Sequence, residues 1–299
     1  MASELVQQLV ESGIHFGHRA SRWNPKMRSF IFGKRNTLHI IDIRETVKGL
    51  LRAKKFLAQV VAKGEDVLFV GTKRQARPAV VEQSTRVGMP YVSERWLGGT
   101  LTNFRTIRSR LSRLEELEAE EADGTALQYS KKMIATRARE LRKIKRNLDG
   151  IRKMSRLPAA IIVVDVRRES NAVKEARKMG LPTVCLIDTD ADPDYADLPI
   201  PGNDDSMRSI QLILQLLTDS IEEGLKGRAI GAKDDKRQSG RRGVRPGPEG
   251  GDGSEIAASS LETGAAQPSE QTAESGDKSQ DGSAPEVDAS STITEASSQ

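Results

Sequence analysis

Three short stretches of this chain are apolar almost without interruption, and they limit its fold more than any other feature. They cover residues 66–70, 159–164 and 183–187. Strands buried on both faces have this pattern, whereas a strand with one solvated face alternates apolar and polar residues. Helical periodicity fills the intervals and also the segment 205–223, which follows them. The sequence therefore predicts a doubly wound α/β fold around a parallel sheet.

The segment 102–154 departs from a simple alternation of strands and helices. Two apolar sets keep heptad spacing on either side of a turn at residues 122–125. Two helices of about 20 residues each would form a rod about 30 Å long. We therefore predict an antiparallel helical hairpin, a coiled coil, inserted into an α/β domain of residues 1–101 and 155–226. The basic residues outside its apolar seam could face RNA or form a solvated surface. Alternatively, the hairpin could be a rod through which an adaptor docks other proteins.

Residues 29–32 and 38–41 resemble two short strands around Gly33–Asn36, which predicts a β-hairpin near the N-terminus. Charge is distributed unevenly along the rest of the chain. Residues 1–245 contain 46 lysines and arginines against 31 acidic residues, whereas residues 246–299 contain one lysine against 11 acidic residues. A basic body attracts polyanions, and an acidic segment on the same chain repels them or covers the basic face.

The C-terminal part of the sequence has the composition of a disordered tail. From residue 227 onward it is rich in Ser, Gly, Ala and Glu, and it contains no aromatic residue. Too few apolar side chains are available to offset the entropy of ordering the chain. We therefore predict that residues 227–299 form a disordered tail, first basic and then acidic.

Several classes of protein are excluded by what the sequence lacks. No run approaches the roughly 20 apolar residues of a membrane span, and the N-terminus shows no secretory signal. We therefore expect a soluble, intracellular protein that does not enter a membrane. Cys185 is the only cysteine, which excludes a disulfide framework, and it lies in an apolar strand. Because neither a Gly-x-Ser-x-Gly elbow nor a His-Glu-x-x-His pair occurs, we expect no enzyme.

The segment Gly71–Gln75 follows a buried strand and precedes a helix. Free backbone N–H groups at a helix N-terminus, with Lys73 and Arg74 beside them, suit a phosphate. The segment matches neither a Walker A loop nor the Gly-x-Gly-x-x-Gly fingerprint, which argues against a nucleotide-dependent enzyme. We therefore predict contact with a phosphate of RNA. The alternative is a structural turn with incidental charges.

A second candidate site is the segment 15–28, where two histidines precede a run of basic and aromatic residues. Its basic side chains could contact phosphates, and its rings could stack on unpaired bases of RNA. The alternatives are a metal bound by the two histidines and a loop that Phe16 and Trp23 pin to the core.

An acidic segment, residues 188–194, follows the last of the three apolar runs. An EF-hand is excluded, because Pro193 stands where the loop needs glycine and Pro199 where it needs glutamate. Aspartates at the end of a strand could still hold Mg²⁺, or with histidine a transition metal such as Zn²⁺, and we expect no other cofactor. The alternative is a turn whose aspartates bond their own backbone. The metal-ligand candidates are His15, His18, Asp188, Asp204 and Asp205.

Several longer motifs occur in one order between about residues 3 and 226. They are His-Phe-Gly-His at 15–18, Arg-Trp-Asn-Pro-Lys-Met at 22–27, Phe-Ile-Phe-Gly at 30–33, Leu-Phe-Val-Gly-Thr-Lys-Arg at 68–74, Arg-Trp-Leu-Gly-Gly-Thr-Leu-Thr-Asn at 95–103, and Ile-Pro-Gly-Asn-Asp-Asp at 200–205. Together they resemble the bacterial small-subunit ribosomal protein S2 family. This chain departs from the family in having Ala159 where aspartate is usual, and in its longer tail.

The resemblance implies a flavodoxin-like α/β domain with a protruding helical hairpin. It implies a structural constituent of the small ribosomal subunit, one copy per ribosome, located between head and body and acting in translation in the cytoplasm. Its partners would be rRNA and neighbouring ribosomal proteins, including ribosomal protein S1, which captures mRNA. RNA held through charge and shape should bind less tightly as salt rises. The residues expected to bind RNA are Arg19, Arg22, Trp23, Lys26, Lys73, Arg74, Arg95, Asn103, Arg105 and Arg108.

Overall fold

The computed structural model describes residues 2–123 and 129–241, with side chains described within 4–123 and 129–228. The acidic part of the predicted tail lies outside the described residues. The elements in chain order are α1 (Ala2–Glu11), β1 (Phe16–Arg19), β2 (Ile31–Arg35), β3 (Leu38–Ile41), α2 (Ile43–Ala62), β4 (Val67–Val70), α3 (Arg77–Val87), β5 (Tyr91–Val92), α4 (Phe104–Ala122), α5 (Lys131–Leu148), β6 (Ala160–Val164), α6 (Ser170–Lys178), β7 (Thr183–Ile187), β8 (Leu198–Pro201) and α7 (Met207–Arg241).

A parallel sheet of five strands, in the order β5-β4-β6-β7-β8, forms the centre of the fold. The three predicted apolar runs are the central strands β4, β6 and β7, so the α/β prediction is confirmed. If only these five strands are counted along the chain, their order in the sheet is 2-1-3-4-5, which is a common order of doubly wound sheets. The two edge strands were not predicted. One has only two residues, and the other contains two prolines, which sheets tolerate at an edge.

Successive residues of the central strands enter two separate hydrophobic cores. Phe69 and Ile162 pack with α2, α3 and α7 on one face of the sheet. Leu68 and Ile161 pack with α6 and with the bases of α4 and α5 on the other face. Because both faces are covered, these strands are almost entirely apolar, and the hydroxyl of Thr183 at the start of β7 donates a hydrogen bond to Asp197.

The predicted N-terminal hairpin is present and belongs to a small antiparallel sheet with the order β1-β3-β2. Strands β2 and β3 pair from Ile31 opposite Ile41 to Arg35 opposite Leu38. Asn36, in the turn, has a positive φ of 57°, which asparagine adopts more readily than most residues. The strand β1, which the sequence did not predict, completes this sheet and places His18 near the larger one.

Helices α4 and α5 cover most of the segment predicted as a helical hairpin. Buried leucines and isoleucine line one side of α4, and Glu118 lies 3.4 Å from Lys145 of α5. Arg137, which interrupts the apolar seam, contacts Glu120 and lies 3.9 Å from the centre of the Tyr129 ring. Residues 124–128, between the two helices, lie outside the described residues. The inserted coiled-coil hairpin therefore stays a prediction.

The last helix, α7, is longer than the sequence indicates, since it continues to Arg241. The structure therefore differs from the prediction of a disordered tail over residues 227–241. No proline lies between Pro201 and Pro246, and each glycine in this stretch costs a helix only about 1 kcal/mol. No helix within the described ranges is long and apolar enough to cross a membrane.

Candidate functional site

The loops that follow four neighbouring parallel strands meet at the carboxyl edge of the sheet. This is the edge at which open α/β sheets place their ligands. Each loop contributes charged side chains, and His18 joins them from the small antiparallel sheet. We call this group the edge cluster. The edge cluster consists of His18, Lys73, Asp165, Asp188, Asp204 and Asp205.

Lys73 is the central cation of the edge cluster. Its Nζ lies 2.7 Å from Asp204 Oδ1, 2.6 Å from Asp205 Oδ1 and 3.5 Å from Asp165 Oδ2. Burial by itself lowers the pKa of a lysine, but these carboxylates outweigh it and raise the pKa of Lys73 above its ordinary value. The ammonium stays charged and faces carboxylates of the protein. Its contact with an RNA phosphate stays a prediction.

His18 and Asp204 have strongly shifted pKa values for different reasons. His18 Nδ1 lies 2.8 Å from Asp188 Oδ2. That hydrogen bond raises the pKa of His18 to about 9, although partial burial acts in the opposite direction. Burial, together with repulsion from Asp165 and Asp188, raises the pKa of Asp204 to about 7. The cluster is therefore a place where negative charge exceeds positive charge.

Three side chains of the edge cluster have the geometry of metal ligands. His18, Asp188 and Asp204 each offer an atom, and these atoms lie within 4.8 Å of one another. Imidazole nitrogen with carboxylate oxygens suits Zn²⁺, and carboxylates with water suit Mg²⁺. Asp205 lies at the rim, where its Oδ2 is 3.4 Å from His18 Nε2. His15 lies outside this set of three, and its ring packs against Phe16 with 4.1 Å between centroids.

The rest of the acidic segment forms the turn that the sequence allowed as an alternative. Asp192 Oδ1 accepts a hydrogen bond from the backbone N of Asp194 at 3.0 Å. Lys26 reaches over this turn, with its Nζ 2.9 Å from Asp192 and 2.5 Å from Asp194. Lys26 is therefore paired within the protein, although half of its side chain is exposed.

The loop after β4 already binds a carboxylate of the protein. Glu169 is 2% exposed, and its Oε1 accepts hydrogen bonds from the backbone N of Thr72 at 2.9 Å and from the Thr72 hydroxyl. This contact lies between β4 and β6, where the strand order reverses and ligands usually enter such a fold. Burial raises the pKa of Glu169, although the Thr72 hydrogen bonds act against it. The exposed Arg74 is the part of this loop that could meet a phosphate.

A second internal carboxylate, that of Glu175 in α6, holds the loop that leads into α4. Glu175 Oε1 accepts from Trp96 Nε1 at 3.0 Å and from Gly99 N at 2.8 Å. Its Oε2 accepts from Leu101 N at 3.1 Å and from Thr102 N at 3.3 Å. Partial burial alone raises the pKa of Glu175, but these hydrogen bonds outweigh it and lower that pKa below its ordinary value. The loop is thereby fixed by an internal anion.

The predicted RNA-binding residues differ in what their side chains contact. Asn103 is exposed and accepts a hydrogen bond from Thr106, and Arg108 donates one to the carbonyl of Ser155 at 2.8 Å. Trp23 is half-buried with its ring 5.1 Å from His39, whereas Phe16, the other residue of the pinned-loop alternative, is 44% exposed. Five of the ten predicted residues are exposed and make no salt bridge or side-chain hydrogen bond within the described ranges, namely Arg19, Arg22, Arg74, Arg95 and Arg105.

Helix α5 carries cations that the sequence reading did not single out by residue. It contains eight lysines and arginines against Glu140 as its one acidic residue. Arg139, Arg142 and Lys143 are among its exposed residues. Their spacing off the apolar seam was visible in the sequence, but a solvated helix has the same pattern.

Comparison with known proteins decides the family. The family model described as ribosomal protein S2 matches residues 9–224. The chain belongs to the ribosomal protein S2 family. The similar proteins are named small ribosomal subunit protein uS2, and the one from Rhodopirellula baltica is 62% identical over 224 residues, which is 75% of this chain and 86% of that protein.

Other members of the ribosomal protein S2 family show the same extent of similarity. The protein of Acidothermus cellulolyticus is 51% identical over 230 residues, 77% of this chain and 84% of its own length. The protein of Salinispora arenicola is 50% identical over 244 residues, which is 80% of this chain and 87% of that protein. The resemblance read from the motifs is confirmed. Membership makes the chain a structural component of the small ribosomal subunit and not an enzyme.

Proposed function

We propose that the chain binds small-subunit rRNA between the head and the body of the subunit, one copy per ribosome, in the cytoplasm. The observation that carries this proposal is that five arginines of the predicted site are exposed and have no side-chain partner within the described ranges. A guanidinium without an internal carboxylate is free to form charge-assisted bonds with a phosphate. Lys26, Lys73 and Trp23 have partners in the protein, so they hold the loops that present the arginines.

The mechanism is scaffold binding without a chemical step. Arginines neutralise phosphates and release counterions, so the affinity falls steeply as salt rises. Contacts to the RNA backbone fix the position of the protein, and the folded shape of the RNA supplies most of the specificity. The loop held by Glu175 carries Arg95 and leads to Arg105, so these two side chains stand on a rigid support.

The test compares two double variants that remove the same charge. Arg95→Ala/Arg105→Ala should weaken binding of the full-length chain to small-subunit rRNA by roughly tenfold and reduce the salt slope. Arg52→Ala/Lys55→Ala, which changes exposed residues of α2 on the opposite face of the sheet, should leave both quantities unchanged. Equal losses in the two variants would show that only net charge matters. Undiminished binding by the first would remove these arginines from the interface.

We also propose that ribosomal protein S1 docks on an apolar groove between α1, α2 and the β2–β3 hairpin. The groove has a volume of about 680 Å³ and is lined by Val6, Phe32, Ile43 and Val47 among others. Phe32 is 79% exposed, which is costly for a phenyl ring that has no partner. An aromatic side chain at a pocket of this kind is a typical anchor for a protein partner.

Phe32→Ala should lower the amount of S1 that sediments with small subunits on a sucrose gradient, while the variant itself still enters the subunits. Leu51→Ala is the matched control, because Leu51 is 55% exposed on α2 and does not line the groove. If both variants retain S1 as well as the parent chain, the groove is not its docking site.

We further propose that the edge cluster holds one divalent cation, Zn²⁺ or Mg²⁺, through His18, Asp188 and Asp204. Four carboxylates there face Lys73 as the one cation once His18 is neutral, as a metal ligand must be, so a divalent ion would offset most of the excess negative charge. Metal analysis of the purified full-length chain should find about one equivalent, and Asp204→Asn should remove it. Less than a tenth of an equivalent in the parent chain, with no effect of added Zn²⁺ or Mg²⁺ on thermal unfolding, would contradict this assignment.

A further inference from the structure

We propose that a cavity between the loops after β6 and β7 accepts one unpaired nucleobase of RNA. The cavity has a volume of about 220 Å³ and lies at the carboxyl edge of the sheet, beside the turn formed by residues 188–194. This inference rests on the proposed binding of rRNA and adds a specific subsite to it. Folded RNA is recognised largely through bases that are unstacked and exposed in loops, bulges and ends.

The walls of the cavity suit a flat, apolar ring system. Val166 is 3% and Ala191 is 2% exposed, so both form a dry floor. Tyr195 lines the same cavity and is 40% exposed, so its ring has a face available for stacking. Pockets for drug-sized molecules occupy about 300–1,000 Å³, and this smaller volume fits a single ring system better than an entire nucleotide.

A cation stands beside each aspartate that lines the cavity. Arg167 lies 2.7 Å from Asp190, and Lys26 lies 2.9 Å from Asp192 and 2.5 Å from Asp194, so each lining aspartate has a cation beside it, although Lys26 is shared by two carboxylates. Lys174 also lines the cavity and has no salt bridge within the part of the chain that the structure describes. An uncharged base fits between these paired side chains, with its phosphate outside the cavity, next to Lys174.

Hydrogen-bonding groups at the cavity are also fixed in place. The backbone N of Asn24 donates to the carbonyl of Thr189 at 2.8 Å, and Asn24 Oδ1 accepts from Lys26 N at 3.0 Å. Across the described residues, Asn24 Nδ2 has no acceptor, so it is available as a donor to a base edge. A polar donor beside an aromatic ring favours a nucleobase over an aliphatic side chain of a protein partner.

Two substitutions at one position separate stacking from other effects. We would measure the affinity of the full-length chain for small-subunit rRNA at several salt concentrations. Tyr195→Ala should weaken binding on the order of tenfold, because stacking of a base on an aromatic ring is lost. Tyr195→Phe should stay within about twofold of the parent chain. The salt slope should be the same in all three, since no charge changes.

A second variant fills the cavity instead of removing its ring. Ser170→Phe, at the first residue of α6, introduces a phenyl group at the cavity and should weaken binding to a similar extent as Tyr195→Ala. Circular dichroism melting of each variant establishes that it is folded before affinities are compared. Unchanged affinity in folded Tyr195→Ala and Ser170→Phe would overturn the inference.

The remaining outcomes distinguish this inference from the proposed function. If the parent chain does not bind rRNA even at low salt, the proposed function itself is wrong. If it binds and Tyr195→Phe loses as much affinity as Tyr195→Ala, a hydrogen bond of the hydroxyl is responsible and the stacked base is refuted. If Tyr195→Ala binds rRNA normally but reduces incorporation of a neighbouring ribosomal protein into reconstituted subunits, the occupant is a protein side chain and the inference is also refuted.

Discussion

Replacing Glu175 by glutamine should show how much one internal carboxylate contributes to the folded domain. In the parent chain, its two oxygens accept four N–H bonds from the loop before α4. Glutamine keeps one acceptor oxygen and turns an amide N–H₂ toward the remaining donors. Two hydrogen bonds to a charged acceptor are then lost, at about 1–1.5 kcal/mol each after allowance for partial exposure. We therefore expect Glu175→Gln to lower the free energy of unfolding by about 2–3 kcal/mol.

The assay is urea denaturation followed by circular dichroism, with calorimetry as a second measurement. For a domain of this size the expected loss corresponds to a decrease in Tm of about 5–10 °C. Hydrogen exchange at Gly99, Leu101 and Thr102 should accelerate in the variant, because their amides lose a fixed acceptor. Lys174→Gln changes a neighbouring exposed residue of the same helix and should leave Tm within about 1 °C.

The pH dependence of the difference provides a further check. The pKa of Glu175 is lower in the folded chain than its ordinary value of 4.5. Its contribution is therefore fully present above pH 4.5 and is lost as the pH falls through the folded pKa. The gap between parent and variant should narrow in that acidic range. A gap below about 0.5 kcal/mol at pH 7, or one that does not narrow in acid, would refute the argument.

Three other predictions concern the packing of the domain. Gly49→Ala directs a Cβ at the carbonyl oxygen of Pro199 and should cost about 1–3 kcal/mol in urea denaturation, whereas Gly33→Ala, with open space around it, should not. Burial raises the pKa of the Cys185 thiol to about 12, so iodoacetamide should label it at pH 8 only as the chain unfolds; rapid labelling of the native chain would contradict this. Leu114→Ala should cost about 2–4 kcal/mol by the same denaturation assay, and a cost below about 1 kcal/mol would mean that α4 is not packed there.

The parallel sheet was predictable because the residues of its central strands are buried whichever face of the sheet they point to. Residues 67–70 are buried on both faces, and such burial appears in the sequence as an unbroken apolar run. The strands β5 and β8 are too short, or too rich in proline, to produce that pattern. They are held by pairing with their neighbours, which is a property of the assembled sheet and not of a local sequence.

The candidate site was predictable only in part, for a related reason. Three of the exposed arginines, Arg22, Arg74 and Arg95, lie within the motifs, and Arg19 and Arg105 lie beside them. His18 and Asp188 were identified from their chemical type. Glu169 and Glu175 were missed, since a glutamate in a helical segment has the same appearance in sequence whether it faces water or enters a loop. Their partners are more than 70 residues away along the chain, and no local pattern encodes such a contact.

The position of Glu169 also affects whether a nucleotide can bind in the crevice between β4 and β6. Doubly wound sheets commonly receive nucleotides where the strand order reverses. In this chain a residue of the protein occupies that crevice and satisfies the amide that would otherwise hold a phosphoryl group. The amide of Thr72 is therefore not free to hold a phosphoryl group, and a nucleotide would have to displace Glu169 to enter the crevice in the usual way.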